Sequence, residues 1–404
     1  MATMSLTGIK AESFVRREGA AGGALDGKII ALWHSHGRYY DSGTGRWDWQ
    51  RPRLFGTVED LYTQSYVIPF LLPMLENAGA YVMMPRERDL NSEELIIDHD
   101  ISSPQGHYSE HNSKEHWNDA PGHGFGFEGT VLRQGENPFT SGRTRYVHTV
   151  NSSHKVSNAR WSADVPHPGN YAIYISYSSM PQSISNARYT VNSLAGSTEF
   201  TVDQRKGGGT WIYLGTFPLD AGRAEYPIVE LSNLSDQKGV VTADAVKIGG
   251  GMGNVERQDS CYDACVSRRP RWAEGSRYWL QWAGAPDSVY ASSEDHRDYI
   301  DDFRCRGLWV NWLLGGSKRL PNTPGLGIEV DMAMGFHSDS GVRQGNKTVG
   351  TMGIYCTERK SKFADGRRRT LSKALTDSIV TTVVNDIRTK YHPDWTRRRI
   401  RDAG

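Results

Sequence analysis

The chain has 404 residues, enough for two or three domains each with its own core. Its formal net charge of +1 excludes a global field that would recruit nucleic acid or an anionic membrane, and no apolar run is long enough for a bilayer-spanning helix. Forty-three glycines, 12 tryptophans and 19 tyrosines fit a turn-rich β protein with aromatic surfaces, a composition compatible with facing carbohydrate.

The segment before Lys28 lacks an apolar signal core, so the expectation is a chain with no export address of its own. From Lys28 the sequence reads as a hydrophobic strand, Lys28 to Trp33, opening into His34-Ser35-His36-Gly37. Gly56 to Leu61 then starts a helix whose Leu61, Tyr62, Tyr66, Phe70 and Met74 share one face. Pro69 and Pro73 each remove a backbone donor and predict a kink or an early end. Gly79 stops the helix, Tyr81 to Met84 is the next strand, and a charged stretch from Pro85 to Asp89 leaves it.

Between about 94 and 250 the helical period fades. Short alternating runs, such as Tyr171 to Tyr177, Tyr189 to Val191 and Trp211 to Leu214, stand between Gly, Pro, Asn and Ser clusters. That period of two predicts an inserted antiparallel β-sandwich. His107-Tyr108-Ser109-Glu110-His111 matches the His-x-x-Glu-His pattern of some zinc proteases, which needs a helix to align its imidazoles. Pro104, Gly106, Asn112 and Ser113 around it predict a loop instead.

Helical texture returns after 258, with Ile300, Phe303, Val310 and Leu314 toward one side of a helix from Asp298 to Leu314. A second strand, Gly327 to Met334, ends at Gly335-Phe336-His337, and Gly350 to Cys356 is another. Leu371, Leu375, Ile379, Val383 and Ile387 recur every four residues, which predicts an amphipathic helix ending near His392-Pro393. Arg367 to Arg369 and the tail from Arg397 to Arg401 read as solvated basic runs. Strands alternating with helices imply an α/β fold, a sheet flanked by helices, over 28–93 and 258–404, interrupted by the sandwich at 94–250. The four cysteines, Cys261, Cys265, Cys305 and Cys356, fit neither a zinc ribbon nor a thioredoxin motif, and their disulfide state stays open.

Two imidazoles and a carboxylate at strand ends and in a first helical turn suit a catalytic zinc with water in the fourth position. Such a metal lowers the pKa of its water toward about 7 and polarises a carbonyl. His36, Glu59 and His337 are those residues, with His34 as the competing ligand. Each has an ordinary reading too: a turn histidine, a carboxylate favoured by the helix dipole, and a loop histidine.

His36-Gly37, Gly56 to Leu61, Ala78 to Val82, Arg86 and Phe336-His337-Ser338-Asp339 together resemble the zinc-dependent N-acetylmuramoyl-L-alanine amidases of the type-3 family. The resemblance implies an amidase-like sheet, Zn2+ held by His36, Glu59 and His337, peptidoglycan as substrate, and a periplasmic or cell-surface location. Asp331 or Asp339 would orient a ligand. The family's catalytic glutamate follows the last amphipathic helix, whereas Glu358 is the last glutamate here, so no catalytic residue is assigned. The chain is then a fragment or a weakly active relative, since acid–base help is worth roughly 10²–10⁴-fold.

Gly207 to Thr216 and Val241 to Val246 resemble the golvesin C-terminal-like domain also appended to xanthan lyases. That resemblance implies a non-catalytic module for glycan binding, with Trp211 either stacking on sugar or filling the core. The alternative function is therefore a non-catalytic cell-surface protein that binds peptidoglycan or another glycan.

Overall fold

The computed structural model describes residues 13–19, 22–101, 103–257, 266–317, 319–339, 341, 349–363 and 366–404. By internal contact the chain divides into two units, 1–336 and 337–404. Cys261 and Cys265 lie outside the described residues. Cys305 is buried, Cys356 is exposed, and both are unpaired thiols.

In the first unit, strand Ile29–His34 runs parallel between Met332–Phe336 and Tyr81–Met83. It is buried along almost its whole length, as expected of a parallel strand covered on both faces. Side-chain alternation divides it: Ile29 and Ala31 enter the main core, while Ile30 and Leu32 join a smaller cluster with Val67, Leu72 and Val82. Asp331 anchors the start of this layer, accepting from Lys28 Nζ and from the Ile29 amide at 2.9 Å each. It therefore sits at the opposite end of the strand from His34 and orients no candidate ligand.

The covering helix departs from expectation. Glu59–Tyr66 is α-helical, Val67–Leu71 widens to a π turn around Pro69, and Leu72–Asn77 resumes the α form. The wider turn tolerates the missing Pro69 donor, and Pro73 falls in the first turn of the resumed helix, where no donor is needed. The two prolines modify the helix without ending it. Its inward residues are Glu59, Asp60, Thr63, Gln64, Val67 and Leu72, whereas Tyr62, Tyr66, Phe70 and Met74 are exposed.

The paired strands of the sandwich are antiparallel. A seven-stranded sheet contains Val15–Arg17, Gly196–Val202, Ala187–Ser193, Val229–Ser232, Asn158–Val165, Gly222–Arg223 and Gly106–His111. A four-stranded sheet orders Ile212–Leu219, Gly169–Ile175, Val246–Gly249 and Glu94–Ile97. A three-stranded sheet of Val240–Ala243, Arg145–His148 and Asn118–Asp119 completes it. Asn158–Val165 alternates half-buried and buried at every position, so the period-two reading of this region is realised residue by residue. Residues 106–111 form a strand where a loop was expected, paired with Asn158–Ala163. An extended chain holds His107 and His111 roughly 13 Å apart, too far for one metal.

Trp211 is core. It is buried among Phe125, Phe139 and their neighbours, with ring centroids 5.0 and 5.2 Å away. Trp282, from helix Ser276–Trp282, packs edge-on against Phe125 at 5.8 Å, so sandwich and helix fill one core.

Helix Asp298–Leu314 has the expected span but turns the other way. Phe303 and Leu314 are exposed, while Asp298, Asp301, Asp302, Cys305 and Arg306 are buried. Ion pairs draw that polar side inward. Arg277 Nη1 lies 2.8 Å from Asp298 Oδ1, Arg257 Nε donates to Asp298 Oδ2 at 2.7 Å, and the Tyr278 hydroxyl donates to the same oxygen at 2.5 Å. Buried charges persist only when paired in this way.

The fold is mainly β, with 31% strand against 20% helix, and antiparallel sheets make up most of it, as expected of the sandwich region. The parallel layer amounts to three strands among the described residues. In the second unit, helix Thr370–Lys390 packs Val380 and Val384 inward and leaves Leu371, Leu375, Ile379 and Val383 exposed. Ile354–Tyr355 and Arg401–Asp402 pair in parallel beside it.

Candidate metal centre

Parallel pairing aligns the C-terminal ends of two strands. Phe336 is the register partner of His34, and its carbonyl accepts the Ser35 amide at 2.8 Å. His36 follows on one strand, and His337 is one peptide bond beyond Phe336 on the other. Gly37 lets the first strand turn away: a Cβ there would lie 2.5 Å from the Glu274 carbonyl, a distance only glycine avoids.

Arg86 fixes this turn. Its guanidinium donates to the carbonyls of His34 (3.1 Å), His36, Trp272 (2.9 Å) and Glu274 (3.0 Å). Complete burial lowers the Arg86 pKa to about 10, partly offset by the carboxylates of Asp302 and Asp60. The residue that the sequence groups with the metal motif thus positions its backbone.

Glu59 opens its helix directly after the extended residue Val58 and is buried, with Arg51 Nε 3.7 Å from its Oε2. His36 is also buried, and its Nδ1 lies 3.1 Å from Arg306 Nη2. A guanidinium can only donate, so His36 Nδ1 is the acceptor and a neutral ring carries its proton on Nε2. Arg306 is paired in turn with Asp302, which also accepts from Gln50 Nε2 at 2.7 Å. Burial alone would raise Asp302, but Arg306 and Gln50 hold its carboxyl below the usual range.

His36 and Glu59 belong to the first unit, and His337 and Asp339 open the second. All four are residues of metal-ligand type. His34 is the competing ligand. It is fully buried, and burial followed by the charges of Arg86 and Arg306 pushes its pKa well below the ordinary histidine value.

Two imidazoles and two carboxylates are a donor set that suits Zn2+. Coordination through His36 Nε2 requires the ring proton on Nδ1, so Arg306 would yield its place to an acceptor, and Asp302 is the carboxylate at hand. Asp60 adds unbalanced charge beneath the donors. Both its oxygens are buried without a hydrogen-bond partner among the described residues, and burial raises its pKa to about 6 against the lowering pull of Arg86. Asp60 lies inside the Gly56 to Leu61 segment but was given no role, Asp302 and Arg306 carry no motif, and sequence reasoning missed all three.

A second donor group, Asp98, His99 and Asp100, also went unread. Its signal is three consecutive ligand-type residues directly after the strand Glu94–Ile97.

Residues 130–250 match the golvesin C-terminal domain family. The xanthan lyase of Bacillus sp. (strain GL1) is 29% identical over 102 residues, which is 25% of this chain and 11% of that protein. The chain thus spans about a tenth of the curated relative it matches. A Paenibacillus xanthan lyase structure is 19% identical, with a TM-score of 0.28, over 39% of this chain and 13% of that one. The C-terminal CBM6 of LamC from Zobellia galactanivorans is 16% identical, with a TM-score of 0.21, over 35% of this chain and 99% of that one.

Proposed function

We propose that this chain binds carbohydrate at a cell surface or in the periplasm through its golvesin-like sandwich. The golvesin match at residues 130–250 carries this reading, and the partial similarity to a protein named for xanthan supports it. Trp211 is not the sugar platform, because it is closed into the core. Recognition falls to surface groups, and the strand Arg145–His148 offers planar polar ones, with Tyr146 and His148 in edge contact at 5.9 Å. Affinity electrophoresis of the full chain in gels holding xanthan, laminarin or solubilised peptidoglycan is expected to show retardation by at least one. Unchanged mobility in all three overturns the reading.

A second reading, zinc-dependent hydrolysis of the N-acetylmuramoyl-L-alanine amide in peptidoglycan, is favoured by the donor types of His36, Glu59, His337 and Asp339, two imidazoles and two carboxylates. Zinc bound by these residues would supply a water of lowered pKa and polarise the amide carbonyl. The chain's own groups have the supporting tasks. Arg86 and Gly37 fix the His36 turn, while Asp302 and Arg306 govern which His36 nitrogen carries the proton. Zinc-loaded chain incubated with peptidoglycan is expected to release stem-peptide amines above the rate of a His36→Ala control. Equal release by both leaves only the binding reading.

A further inference from the structure

The chain crosses from the four-stranded sheet to the seven-stranded one between Glu94–Ile97 and Gly106–His111, and this connection begins Asp98-His99-Asp100. One oxygen of each carboxylate and one ring nitrogen of His99 all lie within 4.8 Å of one another. The Asp98 side chain has no exposed surface, and those of His99 and Asp100 are 9% and 15% exposed.

Part of the hydrogen-bonding capacity here is committed. Asp98 Oδ1 accepts the Asp100 amide at 2.9 Å, and Asp100 Oδ2 accepts the Arg143 amide at 3.0 Å and its Nε at 3.4 Å. Asp98 Oδ2, Asp100 Oδ1 and His99 Nε2 are buried and make no hydrogen bond among the described residues. His99 Nδ1 stands 3.2 Å from Asp98 Oδ1 and 4.0 Å from Asp100 Oδ1. Two carboxylates thus crowd one buried imidazole, and their uncommitted lone pairs cost free energy unless a cation accepts them.

The surrounding charge favours the same conclusion. Asp244 is buried close by, bound to the Phe125 amide and to the Ser176 hydroxyl at 2.7 Å. Burial first, and then the charge of Asp98, pushes its carboxyl well up. The nearest guanidinium, Arg143, is 62% exposed, so water screens its charge. Calcium takes six to eight oxygens, whereas an imidazole with two carboxylates suits a divalent transition metal.

We propose that Asp98, His99 and Asp100 bind one divalent transition-metal ion of the zinc class at the start of the connection between the two sheets. The ion is a structural staple. It neutralises the carboxylates and fixes the turn that opens the connection. It shares no residue with His36, Glu59, His337 and Asp339 and does not depend on any function assigned to them.

The experiment uses the full chain carrying His36→Ala, stripped with chelator and titrated with zinc alone by calorimetry. One equivalent is expected to bind and to raise the melting temperature by about 5 °C when zinc is well above its dissociation constant. Adding His99→Gln, which retains bulk at the site, is expected to abolish that equivalent and the shift. Absence of binding by the His36→Ala chain overturns the proposal. So does an undiminished equivalent in the His36→Ala/His99→Gln chain. Because the parent chain supplies the stoichiometry, the test stands even where an Asp98→Asn variant fails to fold.

Discussion

Glu59→Ala is expected to remove one zinc equivalent from the chain, with affinity at the strand ends falling at least about 100-fold. Outer partners of metal ligands are already worth 10–100-fold, and Glu59 would be a direct donor. The helix should survive, because alanine has the highest helix propensity and losing a first-turn acid costs about 0.5 kcal/mol. Equilibrium dialysis against zinc in a His99→Ala background isolates these donors from Asp98-His99-Asp100. Undiminished zinc in the Glu59→Ala chain would remove that carboxylate from the centre and leave the hydrolytic reading without its charge balance.

Asp60→Asn is expected to stabilise the metal-stripped protein by about 3 kcal/mol near pH 8 and to lose that advantage near pH 4. The folded carboxyl titrates at about 6 against an ordinary value of 3.8. The folded chain therefore holds this proton more tightly than the unfolded chain does. As pH rises from 3.8 toward 6 the unfolded state ionises first, and wild type loses stability until both states are charged. An asparagine has no such titration. Urea unfolding of both proteins in chelator at several pH values measures the difference. A constant gap across that range would show that Asp60 carries no such penalty, and a fixed cost of the buried amide would not mimic the pH dependence.

Local pattern made much of the fold legible. The strand before His34, the strand before His337 and the helix Asp298–Leu314 follow from hydrophobic runs and helical spacing. The inward faces of the helices did not. Asp298 is buried because Arg257 and Arg277 meet it from elsewhere in the chain, and no periodicity within one helix encodes such partners. Local composition also misled at 106–111, where turn-forming neighbours suggested a loop and Asn158–Ala163 provides a strand partner.

The candidate centre divides the same way. His36, Glu59 and His337 are readable because each stands at the end or start of an element. Asp60 and Arg306 are not, since a charged residue inside a helix looks the same in sequence whether it faces water or a buried imidazole. Asp98-His99-Asp100 was visible as a run of ligand types, but its significance depends on burial, which composition does not supply.

Phe125, Trp211 and Trp282 interlock across what would otherwise be a seam between a module and its host. Excising residues 94–250 as a cassette would strip the packing from Trp282 and from strand Ile29–His34, and the liberated sandwich would present its own aromatic interior to water. The inserted segment is welded in: transplanting it onto another scaffold would require the Ser276–Trp282 helix to travel with it.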